Sequence, residues 1–129
     1  MRQLATIQKI AEIKPIEGAD AIEAARVNGW WVVIKKGEHQ VGDLVTYFEI
    51  DSFLPVKPEY EFLLRGSAPK RMLVEGKEVE GIRLRTVKLR GQISQGLIMP
   101  LPEELTGVTA KDAEGTDVSA LLGVIKYEP

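Results

Sequence analysis

The dipeptide Asn28-Gly29 stands between the runs IEAARV and WWVVIK, and no other feature of the chain limits its fold as strongly. Asparagine and glycine both accept the positive φ angles of a two-residue type I′ turn, whose twist matches that of paired strands. The dipeptide therefore predicts a hairpin of Ile22 to Val27 against Trp30 to Lys35. Gly37 and Gly42 bracket a polar turn before a further strand. There Leu44, Thr46, Phe48 and Ile50 share one face, and Val45, Tyr47 and Glu49 the other. Three strands in succession predict a meander.

The flanking sequence extends the strand pattern. A first strand is expected from about Thr6 to Ile13, with a bulge or bend because Ile7 and Ile10 are out of phase. Pro15 and Gly18 end it. Pro55 and Pro58 stop pairing, since proline lacks the ladder donor. Pro58 to Leu64 predicts one or two helical turns that plug an open barrel end, with Phe62, Leu63 and Leu64 in the core and Tyr60 as a lid. Met72 to Val74, Glu78 to Leu89 and Gly96 to Met99 read as further strands, the longest bulged near Thr86 so that Ile82, Leu84, Val87 and Leu89 all face inward. Thr116 is the expected N-cap of a helix from Asp117 to Leu122, and Gly123 its left-handed C-terminal residue. The pattern predicts an all-β fold with one or two short helices, a small closed barrel of the oligonucleotide/oligosaccharide-binding (OB) type with five to six strands. An SH3-like barrel is the nearest competitor. Residues 1–125 are read as the domain and 126–129 as the start of a linker.

Composition removes several kinds of chemistry. At 129 residues the chain buries roughly two-thirds of its unfolded surface without staples. It has no cysteine, which excludes disulfides, thiolate metal sites and cysteine nucleophiles and favours a cytoplasmic location. A single histidine, His39, rules out a two-histidine metal site within one chain and reads as a surface residue. No segment reaches the ~18 apolar residues of a membrane span, so no membrane partner is expected. The net charge of −2 conceals an asymmetry: Arg65 to Arg90 carries eight basic and three acidic residues, near +5, leaving the remainder near −7.

Gly37 to Gly42 has the spacing of P-loop glycines, but Asp43-Leu44 follows where lysine and a hydroxyl residue are required. Glu49 and Asp51 share a strand face, an arrangement more often solvated than metal-binding, and neither a catalytic nor a metal residue is assigned. Trp30 and Trp31 must point to opposite faces. Trp30 joins Val32 and Ile34 in the core series, leaving Trp31 outside as a stacking platform or a packing surface. In KLRGQISQGLIM, Gly91 and Gly96 bring backbone close to whatever lies above, while polar side chains offer hydrogen bonds to phosphate and sugar. The alternative is a polar hairpin turn.

These segments together resemble a known family. GADAIEAARVNGWWVVIKKGEHQVGDLVTYFEIDSFLPV, then KLRGQISQGLIMPL and LLGVIKYEP, are similar to the N-terminal OB domain of ATP-dependent RNA ligases of the Deinococcus-type (Rnl5) group. The opening pattern I-x-x-I-x-P-I-x-G-A-D-x-I-E also looks like the tRNA-binding OB domains of some aminoacyl-tRNA synthetases. The ligase resemblance implies a non-catalytic module that positions nicked or duplex RNA. A separate C-terminal nucleotidyltransferase domain, with ATP and Mg or Mn, would carry the chemistry on the lysine of a K-x-(D/N)-G motif. This chain has no such motif, so no catalytic residue, metal or cofactor is assigned to it. The expected nucleic-acid contacts are Arg83, Arg85, Lys88, Arg90, Gln92, Ser94 and Gln95, then Lys35, Lys36 and Trp31, in a monomer. The alternatives are a freestanding tRNA-binding protein, or a barrel that mainly packs against its catalytic domain.

Overall fold

The computed structural model describes residues 3–105 and 113–129. The first strand is bent, as the phase of Ile7 and Ile10 requires, and the bend exchanges its partner. Strand β1 (Ala5–Lys9) pairs antiparallel with β5 (Leu44–Phe48), whereas β2 (Glu12–Pro15) pairs with β3 (Ile22–Val27). Between them Ile10 still bonds to Asp43, its N–H 2.9 Å from that carbonyl, while the Ala11 N–H already reaches the Arg26 carbonyl at 2.9 Å. One strand thus serves two sheets.

The hairpin of β3 with β4 (Trp30–Lys35) has Val27 opposite Trp30, with Asn28 and Gly29 at φ 50° and 81°, the type I′ turn that the sequence signals. The expected meander ends there. The Gly42 N–H bonds to the Ile10 carbonyl at 2.8 Å, which draws the connection across to the first strand, and β5 pairs with β1 and with β11 (Leu97–Met99), not with β4. On its free side β4 meets the chain at β10 (Gln92–Ser94): the Gln95 N–H bonds to the Trp31 carbonyl at 2.8 Å and the Val33 N–H to the Ser94 hydroxyl at 2.9 Å. The circuit from β1/β2 through β3, β4, β10/β11 and β5 back to β1 is a closed barrel.

Val45, Thr46, Tyr47 and Phe48 are all buried, because β5 divides two cores. Ile10, Ala25, Val27, Val32, Ile34, Val45, Tyr47 and Ile98 fill the barrel, with Trp30 packed against them. On the other face of β1–β5–β11, Phe48 joins Ile7, Leu54, Tyr60, Ile82 and Leu84. This second core is roofed by residues between β5 and β9 (Val87–Leu89), including β6 (Ser52–Leu54), a 3₁₀ helix (Pro58–Leu64), β7 (Lys70–Val74) and β8 (Lys77–Arg83). The helix therefore does not stop the barrel end. Leu63 and Leu64 pack against this core as expected, but Tyr60 and Phe62 exchange roles: Tyr60 is buried and meets Phe48 edge-on, ring centroids 5.9 Å apart, whereas Phe62 is 59% exposed. With three residues per turn, Tyr60 and Leu63 stack on the inner edge and Phe62 falls to another. Burial, with Glu59 beside it, pushes the Tyr60 phenol above its ordinary value.

The expected strand from Glu78 to Leu89 is two strands in different sheets, not one bulged strand. β8 ends at Arg83, Leu84 bonds to Ser52 through backbone, and β9 pairs only with β10. Ile82 and Leu84 are buried, but Val87 and Leu89 are half-exposed. The N-cap of helix α1 (Ser119–Leu122) is Val118, not Thr116, and the helix start is held by Asp117 before it, whose carboxylate accepts the Ser119 N–H at 3.0 Å and the Ser119 hydroxyl at 2.7 Å. Those bonds, the backbone one foremost, hold the Asp117 carboxyl below its ordinary value. Gly123 takes the expected left-handed conformation.

The segment read as the start of a linker is held in the fold. β12 (Ile125–Lys126) pairs with β6, the Tyr127 N–H bonds to the Asp51 carbonyl at 2.8 Å, and the Tyr127 ring lies 5.6 Å from that of Phe53. No helix among the described residues is long and apolar enough to cross a membrane.

Candidate nucleic-acid interface

The segment KLRGQISQGLIM forms a tight hairpin. Leu89 stands opposite Gln92, and Arg90 and Gly91 turn the chain at φ 52° and 83°. Positive φ is uncommon for arginine, so the sequence carries no Asn-Gly-type signal here. The hairpin presents Lys88 and Arg90 to solvent, while the Gln92 amide folds onto the Ile93 carbonyl at 2.9 Å. Ser94 and Gln95 serve the barrel. The buried Ser94 hydroxyl accepts the Val33 N–H, and Gln95 uses its N–H on Trp31 and its carbonyl to accept the Tyr47 hydroxyl at 2.9 Å. What lies above Gly96 is the core itself: a Cβ there would sit 2.5 Å from the Tyr47 ring.

Arg83 is also engaged within the fold. Its Nη2 and Nε lie 3.0 and 3.3 Å from Asp51 Oδ1, and its guanidinium stacks 4.7 Å from the Tyr127 ring. Asp51 is thereby drawn into an ion pair. Arg85, two residues on, is exposed, as are Lys35 and Lys36 at the end of β4.

Trp31 lies on the outer barrel face, where Lys14 Nζ sits 4.3 Å and the Arg26 guanidinium 5.4 Å from its ring. Neither cation was singled out from the sequence. The β2–β3–β4 register, which places Arg26 across from Trp31, brings them together. Such contacts contribute ~0.5–1 kcal/mol at exposed sites. We expect Trp31→Ala to cost about 1 kcal/mol and Trp30→Ala about 2–3 kcal/mol, because only the latter empties part of the barrel. Equal shifts of the thermal midpoint in the two variants would contradict these faces.

A cleft of about 930 Å³ opens where β4 and β11 diverge beyond the Gln95 seam. Its walls are apolar, with Val33 and Ile34 on one side, Phe62 and Leu64 on another, and Leu97 and Met99 between. Lys35, Arg65, Lys70 and Arg85 stand around it, and none forms an ion pair with a described residue. Arg65 and Lys70 were missed as candidates, although the charge asymmetry begins at Arg65. His39 lies here as well. Its side chain is only 11% exposed and its Nε2 is 3.4 Å from Glu38 Oε1, so it is not the surface residue that the polar turn suggested. Among the described residues no three His, Asp or Glu side chains converge as a metal site.

A five-stranded barrel whose first strand changes partners defines the class, an OB-type barrel elaborated by a long excursion between β5 and β9. A family model described as an OB-fold domain matches residues 4–101, and the chain belongs to that OB-fold domain family. No curated protein sequence matches it. Among solved structures it is similar to Naegleria gruberi RNA ligase with PPi, at 45% identity and TM-score 0.82 over 100% of this chain. A mutant of that ligase with ATP and Mn matches at 46% identity and TM-score 0.81 over 99% of this chain. In both cases the match covers 36% of the ligase, so the chain spans about a third of that protein's length.

Proposed function

We propose that this domain is a non-catalytic RNA-binding module of an ATP-dependent RNA ligase of the Deinococcus-type group. In this reading it positions nicked or duplex RNA while a C-terminal nucleotidyltransferase domain joins the 3′-hydroxyl and 5′-phosphate ends. The observation that supports it most is the match of this whole chain, at 45% identity, to a third of an RNA ligase. The cations around the cleft and hairpin support the RNA contact itself. Lys35, Arg65, Lys70, Arg85, Lys88 and Arg90 are exposed or line the cleft, and none is neutralised by a described residue. Cations left unpaired are available to replace the counterions on phosphates. The residues of this chain do not fit the nucleotidyl-transfer chemistry. No lysine stands in a K-x-(D/N)-G motif, and ATP and Mg or Mn are assigned to the catalytic domain.

Binding to a nicked RNA duplex is expected to be modest and salt-sensitive. With about three or four phosphates contacted, the log-log salt slope is near −3, at ~0.9 per contact. Lys88→Ala combined with Arg90→Asn should flatten that slope by about 2 without lowering the thermal midpoint, since asparagine accepts the φ of 52° at position 90. Fluorescence anisotropy at several salt concentrations measures both. Absence of binding at low salt by a folded protein would overturn the RNA reading and leave the domain-packing one.

A further inference from the structure

Resting on the RNA-binding reading, we propose that the cleft between β4, β11 and the 3₁₀ helix takes an unpaired nucleobase, such as a frayed or flapped nucleotide at an RNA end. A paired duplex that only lies across the cationic rim has no use for apolar walls below it. The cleft, at about 930 Å³, lies in the range of ~300–1,000 Å³ for sites that enclose ligands of nucleotide size and above.

Its architecture matches the two halves of a nucleotide. Phe62, 59% exposed although it is a large aromatic, stands on the lip as a face on which a base can stack. Arg65, the left-handed residue that ends the 3₁₀ helix three positions after Phe62, lines the same cleft and offers a charge to the phosphate of a stacked nucleotide. Arg85 faces the cleft from the segment after β8 and Lys35 from the end of β4, so positive charge reaches it from separate elements. His39 and Glu38 also line the cleft and supply a polar pair, a ring nitrogen and a carboxylate oxygen 3.4 Å apart. Apolar walls, a stacking ring, a cationic rim and a small polar pair are the features by which proteins hold single nucleotides out of a helix. The preference is for bases already unpaired, because drawing a paired base from the stack costs unstacking energy that a flapped one does not.

The test compares two nicked RNA duplexes, one fully paired and one carrying a single unpaired adenosine at the nick, by fluorescence anisotropy at fixed salt. The unpaired form is expected to bind about tenfold more tightly, the fold-change that one stacked base commonly contributes. Phe62→Ala should abolish that difference while leaving affinity for the paired duplex and the thermal midpoint unchanged. Arg85→Gln, on a different element, should reduce it. Equal affinity of the wild-type protein for the two RNAs, or a Phe62→Ala variant that keeps the tenfold preference, would overturn the cleft assignment and leave RNA binding standing. Failure to bind either RNA would overturn the RNA reading beneath it.

Discussion

Gly96→Ala is expected to destabilise the domain by about 3–5 kcal/mol, enough to lower the thermal midpoint by roughly 10–20 °C. Two costs combine. Gly96 has φ 120°, which an L side chain rarely adopts, and holding a non-glycine residue there costs ~1–3 kcal/mol. The added Cβ would also lie 2.5 Å from Tyr47 Cε1, 2.7 Å from its hydroxyl and 2.8 Å from the Phe48 carbonyl. Neither neighbour has room to retreat. Tyr47 is fully buried with its hydroxyl on the Gln95 carbonyl, and Phe48 belongs to the strand paired on both edges, so overpacking adds ~1–3 kcal/mol. Gly29→Ala is the control, because a Cβ there meets nothing within 4 Å and only the backbone penalty at φ 81° remains, ~1 kcal/mol. Thermal melts followed by circular dichroism separate the two, and equal shifts would show that the contact with Tyr47 does not matter.

Gly96 shows a glycine signal that holds: a glycine after Ser94-Gln95 signals a close approach, and the structure identifies the approaching group as a core tyrosine. The β3–β4 hairpin was legible to the residue because Asn28-Gly29 leaves the backbone one good option. The same turn geometry recurs at Glu75-Gly76 and Arg90-Gly91. The polar hairpin turn held as the alternative for the second segment is the one formed, but arginine gives no local sign of the positive φ that places it. Pairing of β5 was not legible either. Alternation along a strand tells which residues share a face, yet Val45 to Phe48 are buried on both faces, and only the excursion covering Phe48 makes a second core.

The candidate site was legible as a charge bias and less so as a set of side chains. The Arg83 guanidinium and the Ser94 hydroxyl have the right chemistry for phosphate or sugar but are engaged within the fold by Asp51 and Val33, while Gln95 is tied to Trp31 through its backbone N–H. Those competitors lie 32, 61 and 64 positions away in the chain, beyond the reach of local pattern. Arg85, Lys88, Arg90, Lys35 and Lys36 remain exposed, and the cleft adds Arg65 and Lys70 from flanks of the 3₁₀ helix. The convergence of Lys35, Arg65, Lys70 and Arg85 on the cleft depends on tertiary packing of the excursion onto the barrel. Net charge along the sequence records that the cations are numerous, not that these face one cleft.

The packing of that excursion rests on Phe48 and Tyr60, and the second large effect is expected there. Phe48→Ala should cost about 3–5 kcal/mol, since Phe48 is 1% exposed at the centre of the second core and its loss leaves a cavity bounded by strands that cannot close. Tyr60→Ala should cost about 2–4 kcal/mol, and the two losses should fall short of additive by ~0.5–1.5 kcal/mol, the coupling of an edge-on aromatic pair. Phe62→Ala, two residues from Tyr60 but on the solvent edge, should lie within about 0.5 kcal/mol of the wild type. Urea denaturation of the wild type, the three single variants and the Phe48→Ala/Tyr60→Ala double variant measures the set, and a Phe62→Ala loss as large as that of Tyr60→Ala would restore the roles of Tyr60 and Phe62 first expected from sequence. Tyr60 also anchors the helix that presents Phe62 and Arg65. Tyr60→Ala should therefore weaken the preference for an unpaired nucleotide even below its melting temperature, without Tyr60 itself touching RNA. A packed aromatic pair then fixes the position of the cleft's stacking face, which is how a residue of the core comes to govern binding at the surface.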